Sequence, residues 1–213
     1  MLYLVTGGSG SGKSAYAEQT AVNLYADRKS GGRLYYVATM YPYEDGETEQ
    51  RIERHRSMRR GKGFETIECY TELAALEKAA VCRDVLLLEC MSNLLANEMF
   101  LETGGLRAQG ENNVDMTSLH EKTEERILAP IMRMAQSGGC VVVVTNEIFS
   151  DGRAGEYDSD TRRYIELLGY INRRLAEMAD CCVEVVCGIP LMFGRRPSEQ
   201  KEKTVSVAGR RKA

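Results

Sequence analysis

The sequence predicts an α/β protein with a mainly parallel central sheet that helices cover on both faces. Short apolar runs of strand length alternate with longer stretches of helical periodicity along the 213 residues, which is the pattern of repeated strand–helix units. The apolar runs are mostly continuous, as in strands buried on both sides. A glycine-rich turn directly follows the first of them. Because there is no repeat and no Pro/Ser-rich linker, we expect one domain over residues 1–194 and a basic tail over residues 195–213.

Each element is predicted from its own local pattern. Apolar runs rich in Val, Leu and Tyr predict five strands, at residues 2–6, 34–38, 85–88, 141–144 and 183–186. Apolar residues at helical spacing predict four helices, at residues 14–27, 71–80, 117–136 and 161–179. Pro130 interrupts the third helix, so we expect a kink or two shorter helices there. We expect a loop at residues 103–115, which are rich in Gly and Asn, and a solvated tail in which residues 204–207 are a candidate edge strand.

Composition and charge argue against several classes of protein. Hydrophobic residues make up 43% of the chain and charged residues 28%, an ordinary globular balance. The 31 acidic and 28 basic residues give a net charge of −3, which argues against a protein that wraps nucleic acid. We expect no membrane span, because no apolar run has the required length. We expect no secretory leader, because the N-terminus lacks a basic start followed by a long apolar stretch. The seven cysteines form no C-x-x-C pair, so we expect reduced thiols, no metal cluster and a cytoplasmic location.

A phosphate-binding turn connects the first strand to the first helix. Residues 7–14 match the pattern G-x-x-x-x-G-K-[ST]. Glycines let the backbone turn tightly and aim its N–H groups inward, and the start of the helix offers free amides and a positive dipole end to phosphate. A flexible Gly/Ser turn is the alternative, but here a strand precedes the motif and a helix follows it. The predicted nucleotide contacts are therefore Gly7, Gly8, Ser9, Gly10, Ser11, Gly12, Lys13 and Ser14, with Lys13 on the β- and γ-phosphates and Ser14 on Mg²⁺.

An acidic residue at another strand end belongs with this turn. Glu89 follows the apolar run at residues 85–88, and open parallel sheets bind ligands at the carboxyl ends of their strands. In P-loop proteins an acid at such a position holds Mg²⁺, directly or through water. A carboxylate that simply meets solvent is the alternative. Ser14 and Glu89 are thus the candidate metal ligands, and Thr39 also falls at a strand end.

A histidine lies within a strongly basic segment. His55 follows Arg51 by one helical turn, and residues 51–60 contain five arginines. Thr48 is a candidate N-cap, which predicts a helix that starts there. Beside a P-loop, such a patch suits contacts to a triphosphate, and neutral imidazole can attack phosphorus. On these residues alone, a solvated histidine on a surface helix is the favoured alternative.

Together these motifs resemble one family, the bifunctional adenosylcobinamide kinase/adenosylcobinamide-phosphate guanylyltransferases of cobalamin nucleotide-loop assembly. Residues 4–14 resemble its P-loop. Residues 51–56, Arg-Ile-Glu-Arg-His-Arg, are similar to its R-I-x-x-H-[RK] signature, whose histidine is the guanylylated nucleophile. The P-loop is generic, whereas its ordered combination with this signature is specific. Further segments that resemble the family lie at residues 36–39, 66–68, 87–90, 144–147 and 188–190, so that the match extends from about residue 2 to residue 192.

The resemblance implies a fold and two chemical steps. Family members resemble RecA-like P-loop proteins with three layers, and they form homotrimers. In the first step, ATP or GTP would phosphorylate the hydroxyl of the aminopropanol arm of adenosylcobinamide. In the second, the histidine would attack the α-phosphorus of GTP, expel pyrophosphate and pass GMP to the cobinamide phosphate, giving adenosylcobinamide-GDP. By resemblance, His55 and Lys13 would be catalytic, and further nucleotide contacts would come from Ala38, Thr39, Met40, Arg56, Ser57, Met58, Arg59, Glu68 and Glu89.

Several segments depart from the family pattern. Arg60-Gly61 and Phe64 stand where the family has Arg-Pro and a Trp, and residues 152–155 replace its G-x-V-P loop. Residues 103–115 and the basic tail have no clear counterpart. These differences concern the contacts to the corrinoid and the balance of the two activities. Two other functions stay open: a small-molecule P-loop kinase without a covalent step, and a nucleotide-dependent regulatory ATPase that transfers nothing to a small substrate.

Overall fold

A computed structural model describes residues 1–28, 31–43, 46–78, 83–106, 115–151 and 157–193. Its strands are β1 (Leu2–Thr6), β2 (Leu34–Ala38), β3 (Glu65–Glu68), β4 (Val85–Glu89), β5 (Cys140–Val144), β6 (Cys181–Val186) and β7 (Ile189–Phe193). They form one sheet in the order β3-β2-β4-β5-β1-β6-β7. The neighbouring pairs are parallel, apart from the antiparallel β6–β7 hairpin. The predicted mainly parallel architecture and all five predicted strands are confirmed.

Helices cover both faces of the sheet. They are α1 (Lys13–Asp27), α2 (Gly46–Arg59), α3 (Met91–Phe100), α4 (Met116–Thr123), α5 (Ala129–Gln136) and α6 (Ser159–Met178). Successive strand residues point to opposite faces, so Val5 and Leu87 pack with α1, whereas Leu4 and Leu88 pack in the core that contains α3 to α6. These four side chains are at most 4% exposed. Burial on both faces explains why the strands are continuous apolar runs, and it gives the predicted three layers.

Two predictions about helices were wrong, one about where a helix starts and one about the type of a helix. The helix with His55 begins at Gly46, so Thr48 lies inside it and is not its N-cap. The segment predicted as a helix at residues 71–80 is a 3₁₀-helix over Leu73–Lys78. It follows Glu72, whose φ of 56° is left-handed, and residues 79 and 80 of the predicted helix lie outside the described residues.

The interruption at Pro130 is confirmed, and its form is a π-helical turn over Glu124–Leu128 between α4 and α5. Proline has no N–H with which to continue the α-helical ladder. The chain widens just before it, because the Ala129 N–H donates to the carbonyl of Glu124, five residues back. Helix α3 was not predicted, because its buried residues surround the helix and leave no apolar stripe.

Some predicted segments lie outside the described residues. They are residues 107–114 of the predicted loop, residues 152–155, residue 194 and the predicted tail at 195–213 with its candidate strand at 204–207. Within the described part of the chain, none of the helices combines the length and the apolar character that crossing a membrane requires.

Candidate active site

Close backbone contacts hold the glycine turn between β1 and α1 in shape. Gly12 precedes α1 with a φ of 90°, a left-handed conformation that is costly for residues with a Cβ. A Cβ on Gly7 would lie 2.5 Å from the carbonyl oxygen of Val185 in β6, so this approach requires glycine. The Gly188 N–H donates to the Ser11 carbonyl at 2.8 Å. The β6–β7 hairpin therefore supports the turn, whose backbone has the form of a phosphate cradle.

Lys13 lies over this turn. Its Nζ donates to the Gly8 carbonyl at 3.1 Å, and the residue is only 8% exposed. Burial lowers the pKa of Lys13, and the nearby acidic groups of Cys90 and Glu89 act in the opposite direction. A desolvated ammonium gains more from a bound phosphate than a solvated one, because the surroundings screen the attraction less. The position of Lys13 over the turn therefore suits contact with a bound phosphate.

Ser14 and Glu89 lie close together at the carboxyl end of β4. Burial raises the pKa of Glu89 to about 7, and the nearby Ser14 hydroxyl opposes this rise. The Oε2 atom of Glu89 is buried and has no hydrogen-bond partner within the described ranges. A buried carboxylate oxygen beside a hydroxyl is a donor set that suits Mg²⁺, a hard cation that binds oxygen. The two predicted metal ligands are therefore adjacent and fit the ion.

The raised pKa of Glu89 predicts a pH-dependent stability. The folded state holds the Glu89 proton more tightly than the unfolded state, whose pKa is near 4.5. The resulting stabilisation is present below pH 4.5 and is lost as pH rises through about 7. Between pH 6 and pH 8, in metal-free and nucleotide-free buffer, the wild type should lose about 1 kcal/mol more stability than Glu89→Gln. Urea unfolding of both proteins at the two pH values measures this difference, and equal losses would contradict the assignment.

The end of the basic helix α2 is anchored beside this pair. The Arg59 guanidinium lies over the ring of Tyr36, 3.5 Å from its centroid, and Arg59 is 8% exposed. Three residues after α2 ends, Lys62 forms an ion pair with Glu18, a fully buried carboxylate on α1. Glu18 raises the pKa of Glu89, whereas Arg59 lowers it, so both charges lie near that carboxylate. The C-terminal end of α2 is thus fixed against the helix of the phosphate cradle.

Removal of Lys62 should destabilise the fold, because Glu18 would stay buried without its cation. We expect Lys62→Met to cost about 2 kcal/mol, below the full value for a buried pair since the Lys62 side chain is 35% exposed. The double variant Glu18→Met/Lys62→Met should recover most of this loss, because neither charge remains. Urea unfolding measures all three proteins.

The matched control is Arg60→Met, which breaks an exposed ion pair in the same segment. Arg60 and Glu53 are 3.5 Å apart, with side chains 79% and 59% exposed. This change should cost less than about 0.5 kcal/mol. If Lys62→Met is as mild as the control, then the buried pair does not hold α2 in place.

The other residues predicted for nucleotide contact lie at the same edge of the sheet. Arg56 contacts Glu68, at the end of β3, at 3.5 Å. Thr39 is fully buried, and its hydroxyl donates to the carbonyl oxygens of Glu89 and Cys90 at 2.8 and 2.9 Å. The Thr39 side chain therefore links the ends of β2 and β4, so a ligand can contact only the residues next to Thr39 in the chain. On either side of it, Ala38 and Met40 are half-buried.

His55 lies one helical turn before Arg59 on α2 and is half-buried. Residues at this spacing share a helix face, so His55 lies on the side of α2 that Arg59 anchors near Glu89. Ser57 and Met58 are exposed. The structure thus brings Lys13, Ser14, Glu89 and Arg59 together in one polar cluster. Arg56 and Glu68 form a second contact beside this cluster.

Sequence reasoning missed Glu18, Tyr36 and Lys62. One signal was present for Glu18, because it follows Ser14 by one turn and lies beside Ala17 on the buried side of α1. An acid in that position is almost never left without a partner. Its partner Lys62 is 44 residues away, and nothing in the local pattern joins the two.

Comparison with known proteins gives one consistent result. A sequence model of the family described as cobinamide kinase/cobinamide phosphate guanyltransferase matches residues 3–193. The bifunctional adenosylcobalamin biosynthesis protein CobU of Salmonella typhimurium is 32% identical over 193 residues, which cover 89% of this chain and 97% of that protein. The protein of the same description from Escherichia coli is 32% identical over 191 residues, covering 89% and 97%. The bifunctional adenosylcobalamin biosynthesis protein CobP of Pseudomonas aeruginosa is 30% identical over 195 residues, covering 91% and 98%.

Two solved structures are also similar. The flagellar accessory protein FlaH from Methanocaldococcus jannaschii has a TM-score of 0.44 at 13% identity, covering 92% of this chain and 78% of that one. The second, described as an ATPase domain, has a TM-score of 0.45 at 11% identity, covering 86% of this chain and 68% of that one.

Proposed function

This chain belongs to the cobinamide kinase/cobinamide phosphate guanyltransferase family, and on that premise we propose how its residues divide the two reactions. The chain phosphorylates adenosylcobinamide with a nucleoside triphosphate and transfers GMP from GTP to adenosylcobinamide phosphate. Both reactions transfer a phosphorus centre between oxygen atoms. Positioning and charge neutralisation are therefore the main tasks of the protein.

In the kinase step, the glycine turn and the start of α1 bind the triphosphate through backbone N–H groups. Lys13 neutralises the charge of the transferring phosphoryl group. Ser14 and Glu89 would hold Mg²⁺, which supplies further charge neutralisation on the phosphate oxygens when bound. The support for these two ligands is their proximity and the buried Glu89 Oε2 without a partner in the described residues.

In the guanylyltransferase step, His55 is the nucleophile. A ring nitrogen forms a bond to the α-phosphorus of GTP while the bond from that phosphorus to the bridging oxygen breaks, and pyrophosphate leaves with the electron pair. A phosphate oxygen of the cobinamide phosphate then attacks the same phosphorus. The phosphorus–nitrogen bond breaks, and the imidazole is regenerated. Arg56 and Arg59 follow His55 on α2 by one and four residues, and they neutralise the charge of the transferred group.

The observation that carries this assignment is the anchoring of α2. Arg59 over Tyr36, and Lys62 on Glu18, hold the end of the histidine-bearing helix beside the Ser14–Glu89 pair. A basic helix that only faced solvent would not need a cation–π contact and a buried ion pair at the phosphate cradle. This anchoring supports an arrangement in which a single nucleotide-binding region serves both steps.

Incubation of the purified chain with GTP labelled in the α-phosphate tests the proposal. Covalent label that is acid-labile and alkali-stable, and that adenosylcobinamide phosphate removes, supports the histidine intermediate. If no such label forms but nucleoside diphosphate is released in the presence of cobinamide, the chain is a kinase without the guanylyltransferase step. Hydrolysis stimulated only by a macromolecule would point instead to a regulatory ATPase.

We further propose that the chain acts as a homotrimer in the cytoplasm, as its resemblance to the family implies. The β6–β7 edge supports an assembly, since Val186, Ile189, Leu191 and Phe193 are between 45% and 63% exposed there. The strand register places these side chains on one face of the hairpin, and contiguous apolar surface of this kind is typical of protein contacts. Sedimentation equilibrium of the purified chain measures the assembly.

A further inference from the structure

Three tyrosines form an aromatic cluster at the same edge of the sheet as the nucleotide site, and neither proposed step uses them. Tyr41 and Tyr43 follow β2, and Tyr70 follows β3. The centroid of the Tyr41 ring is 5.1 Å from that of Tyr43 and 5.3 Å from that of Tyr70, and each pair packs edge to face. Tyr41 is 37% exposed and Tyr43 is 51% exposed. We call these three residues the tyrosine cluster. Tyr41 and Tyr43 present its ring carbon and hydroxyl groups at the surface.

Buried polar residues of α3 fix the segments that carry the tyrosine cluster. The Asn97 side-chain amide donates to the carbonyl oxygens of Thr39 and Tyr70 at 2.8 and 2.9 Å. The Glu98 carboxylate accepts the Glu72 N–H at 2.8 Å. Asn97 is 3% exposed and Glu98 is 1% exposed, so these hydrogen bonds do not compete with water. The ends of β2 and β3 are held together, and a surface fixed in this way loses little freedom when a ligand binds.

The shape of the tyrosine cluster favours a ligand broader than a nucleobase. A base stacks on the flat face of one aromatic ring, whereas edge-to-face packing divides this surface into ring edges and faces. Two successive ring contacts in the usual range extend the cluster over roughly 10 Å. Ring carbon covers apolar groups, while tyrosine hydroxyls donate to or accept from amides. A macrocycle that carries methyl groups and amide arms matches both properties.

The position of the tyrosine cluster suits an acceptor that reacts through a long arm. In the sheet, β2 is three strands from β1 and β3 is four, which separates the cluster from the phosphate cradle by roughly 14–19 Å. The acceptor reacts at the end of its aminopropanol arm, so its ring must lie outside the cradle. The Tyr70 hydroxyl donates to Glu68 at 2.9 Å, and Glu68 contacts Arg56 on α2. The cluster therefore adjoins the helix that carries His55.

We propose that the tyrosine cluster binds the corrinoid ring of the acceptor, adenosylcobinamide or its phosphate. This inference rests on the proposed function and adds to it the place where the acceptor binds. Tyr41 and Tyr43 supply the exposed contact surface. Tyr70 supports the Tyr41 ring from the side of β3, and its hydroxyl is already engaged by Glu68.

Equilibrium dialysis of adenosylcobinamide against the full-length chain tests this inference, with the visible absorbance of the corrinoid as the readout. The double variant Tyr41→Ala/Tyr43→Ala should bind the corrinoid roughly tenfold or more weakly, since each lost aromatic contact is substantial. Its affinity for GTP should change much less. Tyr25→Ala is the matched control, because Tyr25 is 38% exposed but lies near the C-terminal end of α1, at the opposite edge of the sheet.

Each outcome of the dialysis decides the matter. Corrinoid affinity of the folded double variant within twofold of the wild type would overturn the inference. A loss of GTP affinity with unchanged corrinoid affinity would show that the cluster stacks a base, and would overturn it as well. In both cases the wild type would still bind the corrinoid and take up the GMP label, so the proposed function would stand. A wild type that binds no corrinoid would overturn both.

Discussion

Lys13→Ala should lower the rate of adenosylcobinamide phosphorylation about a thousandfold, with little effect on folding. The phosphoryl group carries its negative charge through the transfer, and a positioned cation is worth two to three orders of magnitude in rate. Lys13 is buried over the glycine turn, and its ammonium donates a hydrogen bond to the Gly8 carbonyl, so the variant removes a cation that is held in place. Because alanine removes a desolvated charge, the fold should tolerate the change.

The kinase measurement is the release of nucleoside diphosphate at saturating triphosphate, with and without adenosylcobinamide. Lys78→Ala serves as the control, since Lys78 is an exposed lysine at the end of the 3₁₀-helix. Circular dichroism and urea unfolding establish that both variants fold. Phosphorylation by Lys13→Ala at the wild-type rate would refute the role of the turn as the phosphoryl-donor site.

His55→Ala should abolish GMP transfer and leave phosphorylation close to the wild-type rate. The loss should exceed about a thousandfold, because no other group can form the covalent intermediate once the nucleophile is gone. Labelling with α-phosphate-labelled GTP measures the covalent step, and diphosphate release in the same preparation measures the kinase step. The separation of the two activities is the informative result.

The control for this variant comes from the only other histidine of the chain. His120 on α4 stacks on the Tyr170 ring with centroids 4.1 Å apart, so His120→Phe keeps the ring and removes the imidazole. It should take up the label as the wild type does. An equal loss of both activities in His55→Ala would instead give His55 a role in the fold or in a nucleotide pose that both steps share.

Most of the fold could be predicted because its signals are local. A strand buried on both faces is apolar along its buried length, and β5 shows that pattern over five residues and β4 over the four residues before Glu89. Helix α3 gave no such signal, because Asn97 and Glu98 interrupt its apolar residues and are nevertheless buried. Their burial depends on backbone partners that belong to other strands and turns, which periodicity alone does not reveal.

The candidate site likewise has one part that the local sequence predicts and another that it does not. The cradle is a contiguous motif, so spacing alone placed Lys13 and Ser14 at the start of α1. The contacts that fix the basic helix join residues distant in sequence, such as Lys62 with Glu18 and Arg59 with Tyr36. In the sequence both cations belong to a strongly basic segment that suggests exposure to solvent, and only the folded chain shows their partners. The tyrosine cluster is equally non-local, since its members follow different strands.

The contacts of β1 have a consequence for the order in which parts of the protein fold during synthesis. This strand leaves the ribosome before the other six, yet its sheet partners are β5 and β6, and the carbonyl of Ser11 receives its hydrogen bond from Gly188. A nascent chain that has emerged only as far as β4 therefore contains the whole glycine motif without the neighbours that shape it. Nucleotide affinity should arise late in synthesis and abruptly, when the C-terminal hairpin closes on the N-terminal strand.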